Sequence, residues 1–527
     1  MGSTMRRNPP LSTGLVWALG AMALLALWSQ SLTVPFWQDD YNFKQVARQA
    51  NARQQPWTAT LYGEEKESYF WRPLSIDIYW RFLEGTLGGS RLAAQVAGVA
   101  LLLAASAAVG WLAAAMLRSG DCRQTPAPGG FPGPLSVPAS LSPSPSDLQE
   151  QVPGGFRAPS PRTAGIAAAF VYGIHGSHFL PAVWACGNQD SMLVLLLALA
   201  LRFWLESLTT DGLRSALAGG ATVAASALAL LSKEAAVVLP VLMLLLAAWV
   251  WPRPRLALRH GLIGLAVVGL TAAWWYVNRR HTLPLPAPYQ IRIGTNVVRN
   301  ALSLGLFAWN VPREALRFMV TDRSPAAAIW AAACLLSQVA GCALLWPALR
   351  AALTRKKALI LAGFALIGLA PYLPLAQHCY EYYTSLALIA YAVLLANAAG
   401  SRMFPVAAAV LFASSALSTL GNHWLEEPAV LARARWGQRQ LEIVAAQQAE
   451  RPDRFIPPIV LWIEDEHRSD VLGPHALAYV LDRSIDDFTV VHSSAAVRPP
   501  AGSVLVVPTK GDVFWDDAGR SPAPRAE

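Results

Sequence analysis

The sequence contains long stretches without a charged side chain, and these limit its fold more than any other feature. No Asp, Glu, Lys or Arg occurs from Asn8 to Gln38 or from Leu92 to Leu117. A helix of about 20 residues crosses a hydrocarbon core about 30 Å thick, so each stretch is long enough to span a bilayer. Similar runs recur along the chain, and only 14% of its residues are charged. The sequence therefore predicts an integral, multi-pass membrane protein.

Eleven segments are predicted to be membrane-spanning helices, which gives an all-α polytopic fold over residues 1–420. The first is expected to be a retained helix rather than a cleaved signal peptide, because it is longer than the apolar region of a signal peptide. The eleven segments are 12–33, 92–117, 163–180, 190–206, 214–232, 235–251, 261–277, 326–346, 358–374, 384–399 and 403–420.

The orientation in the membrane follows from basic residues near the short connections, which favour the cytoplasmic side. They are Arg6, Arg7, Arg253, Arg255, Arg259, the cluster 350–357 and Arg402. This predicts that the first loop (34–91) and the turns at 175–189 and 375–383 lie outside the cytoplasm, in a plasma or inner membrane. The basic loop 278–325 also falls outside, and an amphipathic interfacial helix is expected within it.

Two further regions differ in composition from the apolar segments. Residues 118–162 are rich in Pro, Gly and Ser and are predicted to form a disordered cytoplasmic linker. Residues 421–527 are predicted to form a small extracytoplasmic α/β domain. Its expected strands are "PPIVLWIE", "FTVVHSS" and "SVLVVPT", with the helix "DVLGPHALAYVLD" between the first two.

The first external loop carries the residues best suited to catalysis. Asp39 and Asp40 follow the first apolar segment directly, and adjacent carboxylates at a membrane surface repel each other, which can raise one pKa. They suit a general base, a metal ligand or both, or they simply mark the helix end. In "YFWRPLSIDIYW", Arg72 lies among aromatic residues, where its guanidinium suits a lipid phosphate or extends to the headgroups.

Three other predicted external turns are polar. The pair His175 and His178 is weak as a metal site, since a clear third ligand is missing, and polar lining of an external cavity is favoured. Lys233 and Glu234 either serve a site or neutralise each other. The remaining polar residues at these turns are Asn188, Asp190, His378, Tyr380, Glu381, Tyr382 and Tyr383. This clustering on one face favours an enzyme over a transporter, whose charges are expected near the bilayer midplane.

The five cysteines are scattered and show no metal-ligand spacing. Cys186 and Cys379 fall in turns predicted on the same side of the membrane, so a disulfide between them is left open. The net charge of +9 fits a protein that faces anionic lipids, and nothing in it indicates nucleic acid.

Taken in order, four motifs resemble those of the glycosyltransferase C superfamily. They are Asp39-Asp40-Tyr41, "FWRPLS" at 70–75, "HGSHFLPAVWACGNQD" at 175–190 and "LLSKEAAVVLP" at 230–240. The nearest branch is the protein O-mannosyltransferase type with its bacterial relatives, which use polyprenyl-phosphate sugars. The resemblance covers roughly residues 10–400. Gly176 stands where these relatives tend to have Pro, and Asn188 where an Arg is common.

The resemblance implies that Asp39 is the general base. It would remove a proton from an acceptor hydroxyl, whose oxygen attacks the anomeric carbon of a lipid-phosphate-linked sugar in one inverting step. A phosphate leaves as a stable anion, so one carboxylate suffices where glycosidases use two. Positive charge at the phosphate is needed instead, and the candidates are Arg72, Lys233, Arg292 and Arg299.

The same resemblance implies a substrate cavity at the outer face. Its expected residues are Tyr41, His175, His178, Asp190, Glu234, His378, Tyr380, Glu381 and Tyr382. No cofactor is expected to be required, although Asp40 would either tune Asp39 or help to bind a divalent metal. The expected partners are the polyprenyl-phosphate sugar donor, membrane lipids, and an acceptor glycan, lipid or protein.

Two other functions remain open on the sequence alone. A glycan polymerase or ligase that uses a lipid-linked oligosaccharide would depend on the basic loop 278–325 more than on Asp39. A lipid or glycan flippase would instead place charged side chains in paired or interrupted helices near the midplane.

Overall fold

The computed structural model describes most of the chain. The described residues are 13–37, 39–57, 69–120, 158–251, 258–424, 430–455, 457, 459–463, 473–492, 504–507 and 514–516. Most of the predicted linker, the basic residues Arg6, Arg7, Arg253 and Arg255, and the last residues of the tail lie outside these ranges.

Helices occupy all eleven apolar segments. Their bounds are Thr13–Trp28, Arg91–Gly120, Pro161–Ile174, Asn188–Thr209, Gly212–Ser232, Leu239–Val250, Leu258–His281, Pro325–Ala352, Arg355–Leu369, Ser385–Ala396 and Phe404–Trp424. The other α-helices of the described ranges are Asp39–Ala52, Tyr79–Thr86, Phe179–Val183, Thr295–Ala308, Arg313–Thr321, Val430–Glu450 and Pro474–Val480.

Six helices of the described ranges are long and apolar enough to cross a membrane. A seventh candidate is the pair Pro161–Ile174 and Gly176–Val183, which is bent by 57° at His175. Other apolar helices are shorter: Leu239–Val250 and Ser385–Ala396 have 12 residues each, about 18 Å of rise. The chain is therefore helical and carries several candidate spans, while the predicted number of eleven remains a prediction.

The candidate spans differ in how much of their surface the protein itself covers. Only 17% of the apolar window in Leu258–His281 and 22% of that in Pro325–Ala352 is buried. Leu265 and Leu336, one on each helix, are 66% and 67% exposed. Apolar surface of this extent on two long helices fits contact with lipid rather than with water.

Short extended breaks interrupt the apolar helices at polar or aromatic residues. His175, Trp184, Lys233 and Tyr380 all have extended backbone, with ψ angles of 131°, 117°, 142° and 153°. At His175, Trp184 and Lys233 the break ends one helical segment and starts the next, whereas Tyr380 closes the turn that follows the helix Arg355–Leu369. The breaks bring polar side chains of different helices together, and they form the site described below.

The tail forms a four-stranded sheet in the order β2-β1-β3-β4. Its strands are β1 (Ile459–Ile463), β2 (Phe488–His492), β3 (Val504–Val507) and β4 (Phe514–Asp516). β1 pairs in parallel with both β2 and β3, and β4 pairs antiparallel with β3. The three predicted strands and the helix between the first two are confirmed. The sequence analysis missed β4.

The described residues of the tail share an apolar cluster with the first loop. Leu441, Leu461 and Leu477 share one cluster with Phe36 and Tyr41 of the first loop. The predicted domain boundary at residue 420 therefore does not separate two independent apolar clusters among these residues. The tail packs directly on the helix that begins at Asp39.

Asn310 joins three helices at the end of the Thr295–Ala308 helix. Its Oδ1 accepts from the backbone N–H of Gly176 at 2.9 Å, and its Nδ2 donates to the hydroxyls of Ser415 at 2.9 Å and Ser414 at 3.3 Å. Its φ of 67° is a left-handed conformation that asparagine tolerates better than most residues. The residue is therefore fixed by both its backbone and its side chain.

Replacing Asn310 by alanine is expected to lower the free energy of unfolding by about 2–4 kcal/mol. The change leaves a buried N–H without its acceptor and places alanine in a strained backbone conformation. Chemical unfolding in detergent micelles measures the loss. Asn310→Gly is the matched control, because glycine relieves the strain but not the lost hydrogen bonds, so its loss is smaller. Equal stability of wild type and Asn310→Ala would contradict the prediction.

Candidate functional site

Four charged side chains form two ion pairs beside the Lys233 break, one buried and one partly exposed. Arg72 donates to both carboxylate oxygens of Glu234, at 2.5 and 2.7 Å, and also to the Gln189 side chain at 2.5 Å. Lys233 donates to both oxygens of Asp190 at 2.6 Å. We call Arg72, Gln189, Asp190, Lys233 and Glu234 the polar cluster. The predicted alternative that Lys233 and Glu234 pair with each other is wrong, because Lys233 pairs with Asp190 and Glu234 pairs with Arg72.

The pairs differ in exposure. The Lys233 and Asp190 side chains are 4% and 5% exposed, whereas Glu234 is 36% exposed. Burial lowers the pKa of Arg72, but the charge and hydrogen bonds of Glu234, together with the charge of Asp190, raise it above its usual value, so the guanidinium stays ionised. Arg72 thus remains a cation whose orientation is fixed by a bidentate carboxylate.

An aromatic wall lies against the polar cluster. Lys233 Nζ is 5.0 Å from the ring centre of Tyr382, which stacks on Tyr380 at 5.3 Å. His378 is 4.5 Å from Tyr380 and 4.0 Å from Tyr289, measured between ring centres. The wall therefore combines the predicted turn at 375–383 with Tyr289 of the basic loop, which the sequence analysis did not single out.

The electrostatic environment of His378 is positive. Burial, together with the charges of Lys233, Arg313 and Arg72, lowers the pKa of His378 to about 3. The imidazole is therefore neutral at physiological pH. Lys233, Arg313 and Arg72 all lie within electrostatic range of this ring, so the charges around it are positive.

Asp39 and Asp40 occupy different environments although they are adjacent. Asp40 is fully buried, and its oxygens accept from the backbone N–H groups of Cys186 at 2.8 Å and Trp37 at 3.2 Å. Burial raises the pKa of Asp40 well above its usual value, against the effect of these two hydrogen bonds. Asp39 is exposed and lies within electrostatic range of Tyr289 and Cys186.

Cys186 links the acids to the polar cluster. It lies within electrostatic range of Asp39, Asp40, Arg72 and Lys233. The structure therefore gathers the first loop, the 175–189 turn and the Lys233 break in one region. Cys186 and Cys379 are free thiols, so the disulfide that the sequence left open is not formed.

The basic loop and the 375–383 turn are joined through their backbones. Arg292 N donates to Pro374 O at 2.8 Å, and Ala376 N donates to Gln290 O at 2.9 Å. Arg299 Nη2 donates to Ala376 O at 2.7 Å. Arg292 and Arg299 are exposed, and within the described residues neither forms a hydrogen bond or ion pair with the polar cluster. The predicted amphipathic helix corresponds to Thr295–Ala308, where Val298 and Leu302 are exposed.

The remaining predicted cavity residues are distributed around this region. His175 Nε2 donates to the carbonyl of Ala308 at 3.2 Å, and His178 lies 4.6 Å from the Tyr172 ring, between ring centres. Both histidines are buried, so they do not line an open cavity. Tyr41 is also buried, and its hydroxyl donates to Gln438 of the tail at 3.1 Å.

Glu381 is buried beside the aromatic wall. Its exposure is 3%, and its Oε2 has no hydrogen-bond partner among the described residues. In those same ranges, no group of three or more His, Cys, Asp or Glu side chains is arranged to hold a metal ion. Whether the site uses a metal therefore stays a prediction.

Close packing explains the glycine at position 176. A Cβ on Gly176 would lie 2.6 Å from Ser418 Oγ and 2.7 Å from Asn310 Oδ1. A proline there would also remove the N–H that donates to Asn310. In this chain, close packing of the helix Phe404–Trp424 against the break requires the glycine.

Asp77, five residues after Arg72, is expected to make stability depend on pH. Burial raises its pKa from 3.8 to about 7, although Arg81 lowers it. The folded protein thus holds this proton more tightly than the unfolded chain, so the stabilisation is complete below pH 3.8 and is lost as pH rises through 7. Asp77→Asn should therefore gain stability relative to wild type on going from acidic pH to about pH 8.

Thermal unfolding of both proteins across that pH range measures this difference. Asp322→Asn, which changes an exposed carboxylate of the basic loop, is the control and should follow the wild type. An Asp77→Asn curve parallel to that of the wild type would contradict the burial argument.

Comparisons with protein-family models, with curated proteins and with solved structures found no match for this chain. The class that the fold defines is a largely helical protein with several candidate membrane-spanning helices. Its site is a cluster of paired charges and aromatic rings at the helix breaks.

Proposed function

We propose that the protein is a membrane glycosyltransferase that moves a sugar from a polyprenyl-phosphate donor to an acceptor hydroxyl outside the cytoplasm. The observation that carries this proposal is the contrast between Asp39 and Asp40. The exposed carboxylate of Asp39 lies within electrostatic range of Tyr289 in the aromatic wall and of Cys186, and the carboxyl of Asp40 is fixed by backbone hydrogen bonds. The Asp39 carboxylate is thus accessible to a substrate, and the Asp40 carboxyl fixes the backbone that carries Asp39.

In this mechanism Asp39 accepts the proton of the acceptor hydroxyl as the oxygen attacks the anomeric carbon. The bond from that carbon to the phosphate oxygen breaks with its electron pair, and polyprenyl phosphate leaves as an anion. Asp40 is a positioning residue, because its carboxyl joins the start of the Asp39 helix to Cys186. The transferred sugar ends with the opposite anomeric configuration.

The polar cluster supplies the charge for the leaving phosphate. The bonds of Arg72 to Glu234 and Gln189 use three of its five N–H groups, so the guanidinium can donate to a further acceptor. Lys233 is held by Asp190 on the other side of the cluster. Because each cation has a carboxylate partner, the exposed Arg292 and Arg299 are proposed to bind the donor first.

The aromatic wall is proposed to hold the sugar. Tyr289, Tyr380 and Tyr382 present ring faces that suit the apolar face of a pyranose, and the neutral His378 offers a hydrogen bond. The buried carboxylate of Glu381, with one oxygen lacking a described partner, is a candidate acceptor for a sugar hydroxyl.

The proposal includes the topology. The site end of the bundle faces outside the cytoplasm, and the short apolar helices complete their crossings together with adjoining turns, as in Glu234–Val250 and Glu381–Ala396. The tail then forms an extracytoplasmic unit on the first loop. Labelling of single cysteines at Trp57 and Arg402 from either side of sealed vesicles would test this orientation.

Reconstitution in liposomes tests the reaction. Wild-type protein, given a polyprenyl-phosphate sugar labelled in the sugar, should release polyprenyl phosphate and transfer label to acceptors in an envelope extract. A nucleotide sugar should give no transfer, because it has no lipid to place it at the outer leaflet. Translocation of the labelled lipid without release of polyprenyl phosphate would favour a flippase. Transfer only from a lipid-linked oligosaccharide would favour a polymerase or ligase.

A further inference from the structure

A second polar site lies at the opposite end of the bundle. A cavity of about 460 Å³ opens between the ends of five helices, and its charged lining residues are Arg118, Arg202, Arg214, Arg259, Glu206 and Asp211. Cavities of this size hold small-molecule groups in many proteins. We call it the basic cavity.

The basic cavity is separate from the polar cluster. Asp190 lies near the start of the helix Asn188–Thr209, and Glu206 lies near its end. At 1.5 Å per residue, the two are about 24 Å apart along the helix axis. A ligand in one site therefore does not touch the other.

The charge of the cavity is not balanced. Glu206 accepts from Arg202 at 2.8 Å and from Arg214 at 2.7 Å, while Asp211 is 3.4 Å from Arg259. Four arginines thus meet two carboxylates, which leaves a net charge of +2 when His260 is neutral. Arginine forks match phosphate oxygens in geometry as well as charge.

Two guanidinium groups retain buried donors. The Nε atoms of Arg202 and Arg259 are buried and have no hydrogen-bond partner within the described ranges. The Arg202 side chain is only 9% exposed and lies over the Trp111 ring at 4.5 Å. Buried donors of this kind are stabilised by an acceptor, and the surplus of positive charge favours an anionic one.

Exposed leucines adjoin the charged lining. Leu213 and Leu258 precede Arg214 and Arg259 directly and are 75% and 82% exposed. Apolar side chains at the ends of candidate spans fit acyl chains, whereas a free phosphate would make no use of them. The combination matches the border between headgroups and hydrocarbon.

We propose that the basic cavity binds the phosphate of an anionic phospholipid. The arginines contact the headgroup phosphate, and the acyl chains lie along the exposed leucines of the same helix ends. In the orientation proposed above, this lipid belongs to the cytoplasmic leaflet. The site does not depend on the reaction at the polar cluster, so either proposal can fail without the other.

Lipid binding to the purified full-length protein tests the cavity. Native mass spectrometry with phosphatidylglycerol, phosphatidylcholine and inorganic phosphate compares the ligands directly. The double variant Arg214→Gln/Arg259→Gln should bind phosphatidylglycerol about 30-fold more weakly, by the usual contribution of two surface arginines to anionic-lipid binding. Its control is Arg355→Gln/Arg402→Gln, which removes two exposed arginines outside the cavity and should bind as the wild type.

Each result decides the proposal. Selective binding of phosphatidylglycerol that weakens only in the cavity variant supports it. Equal weakening in both variants indicates nonspecific surface attraction, and equal binding of inorganic phosphate shows that a free anion is the ligand. Either would overturn it. If the double variant does not fold, Arg214→Gln alone gives the same test, since that side chain is 72% exposed.

Discussion

Replacing Lys233 by methionine is expected to lower the free energy of unfolding by about 3–5 kcal/mol. Methionine keeps the length of the side chain but removes its charge. Asp190 then retains a carboxylate that is 5% exposed and has lost a partner 2.6 Å away. An unpaired buried charge of this kind is among the most destabilising changes that a single substitution can make.

A double-mutant cycle separates the pair from its surroundings. Lys233→Met/Asp190→Leu removes both charges, so it should be much less destabilised than the sum of the two single variants. Unfolding in detergent micelles gives the four free energies. The matched control is Arg214→Met, which breaks a bond of 2.7 Å at a side chain that is 72% exposed and should lose less than about 1 kcal/mol. A similarly small loss in Lys233→Met would contradict burial of the pair.

Replacing Asp39 by asparagine is expected to reduce sugar transfer by about 10²–10⁴-fold. Asparagine has nearly the same shape but cannot accept the proton of the acceptor hydroxyl. Because Asp39 is exposed, its replacement should leave the unfolding temperature close to that of the wild type. Donor binding should also persist, since the proposed phosphate contacts come from arginine and lysine side chains.

Asp40→Asn provides the contrast at the adjacent residue. The asparagine NH₂ group would face one of the two backbone N–H groups that now donate to the carboxyl oxygens. Two donors would then meet, so the main loss should be in the free energy of unfolding. Asp322→Asn should change neither property. Wild-type transfer by Asp39→Asn would remove Asp39 as the base. A fall in donor binding that equals the fall in transfer would show that Asp39 acts in binding instead.

The sequence predicted helices well because their signal is local. Long apolar runs without proline-rich sequence favour helices, which satisfy their own backbone hydrogen bonds, and every apolar segment proved to contain a helix. Span lengths were harder to predict, since hydropathy continues through breaks such as the one at Lys233. The strand β4 has only three residues, and its pairing with β3 depends on a contact that no local pattern marks.

The site was predictable as a set of polar turns but not as a set of pairs. Lys233 and Glu234 are adjacent in the chain, yet their partners are 43 and 162 residues away. The Lys233–Asp190 pair did have a signal in the sequence, because a lysine and an aspartate buried among apolar helices each need a partner of opposite charge. The hydrogen bond between Asn310 and Gly176 had no such signal, because neither residue is charged.

The docking of the tail on the first loop changes how shortened proteins should be interpreted. The Arg48 guanidinium lies 3.7 Å from the ring centre of Tyr479, and the Tyr41 hydroxyl donates a hydrogen bond to Gln438. The tail therefore packs against the helix that begins at Asp39. Removing the tail would take away the apolar and aromatic side chains that pack on this helix, so the helix could change its orientation. An inactive truncation would then indicate a misplaced Asp39 carboxylate and not a catalytic role of the tail itself.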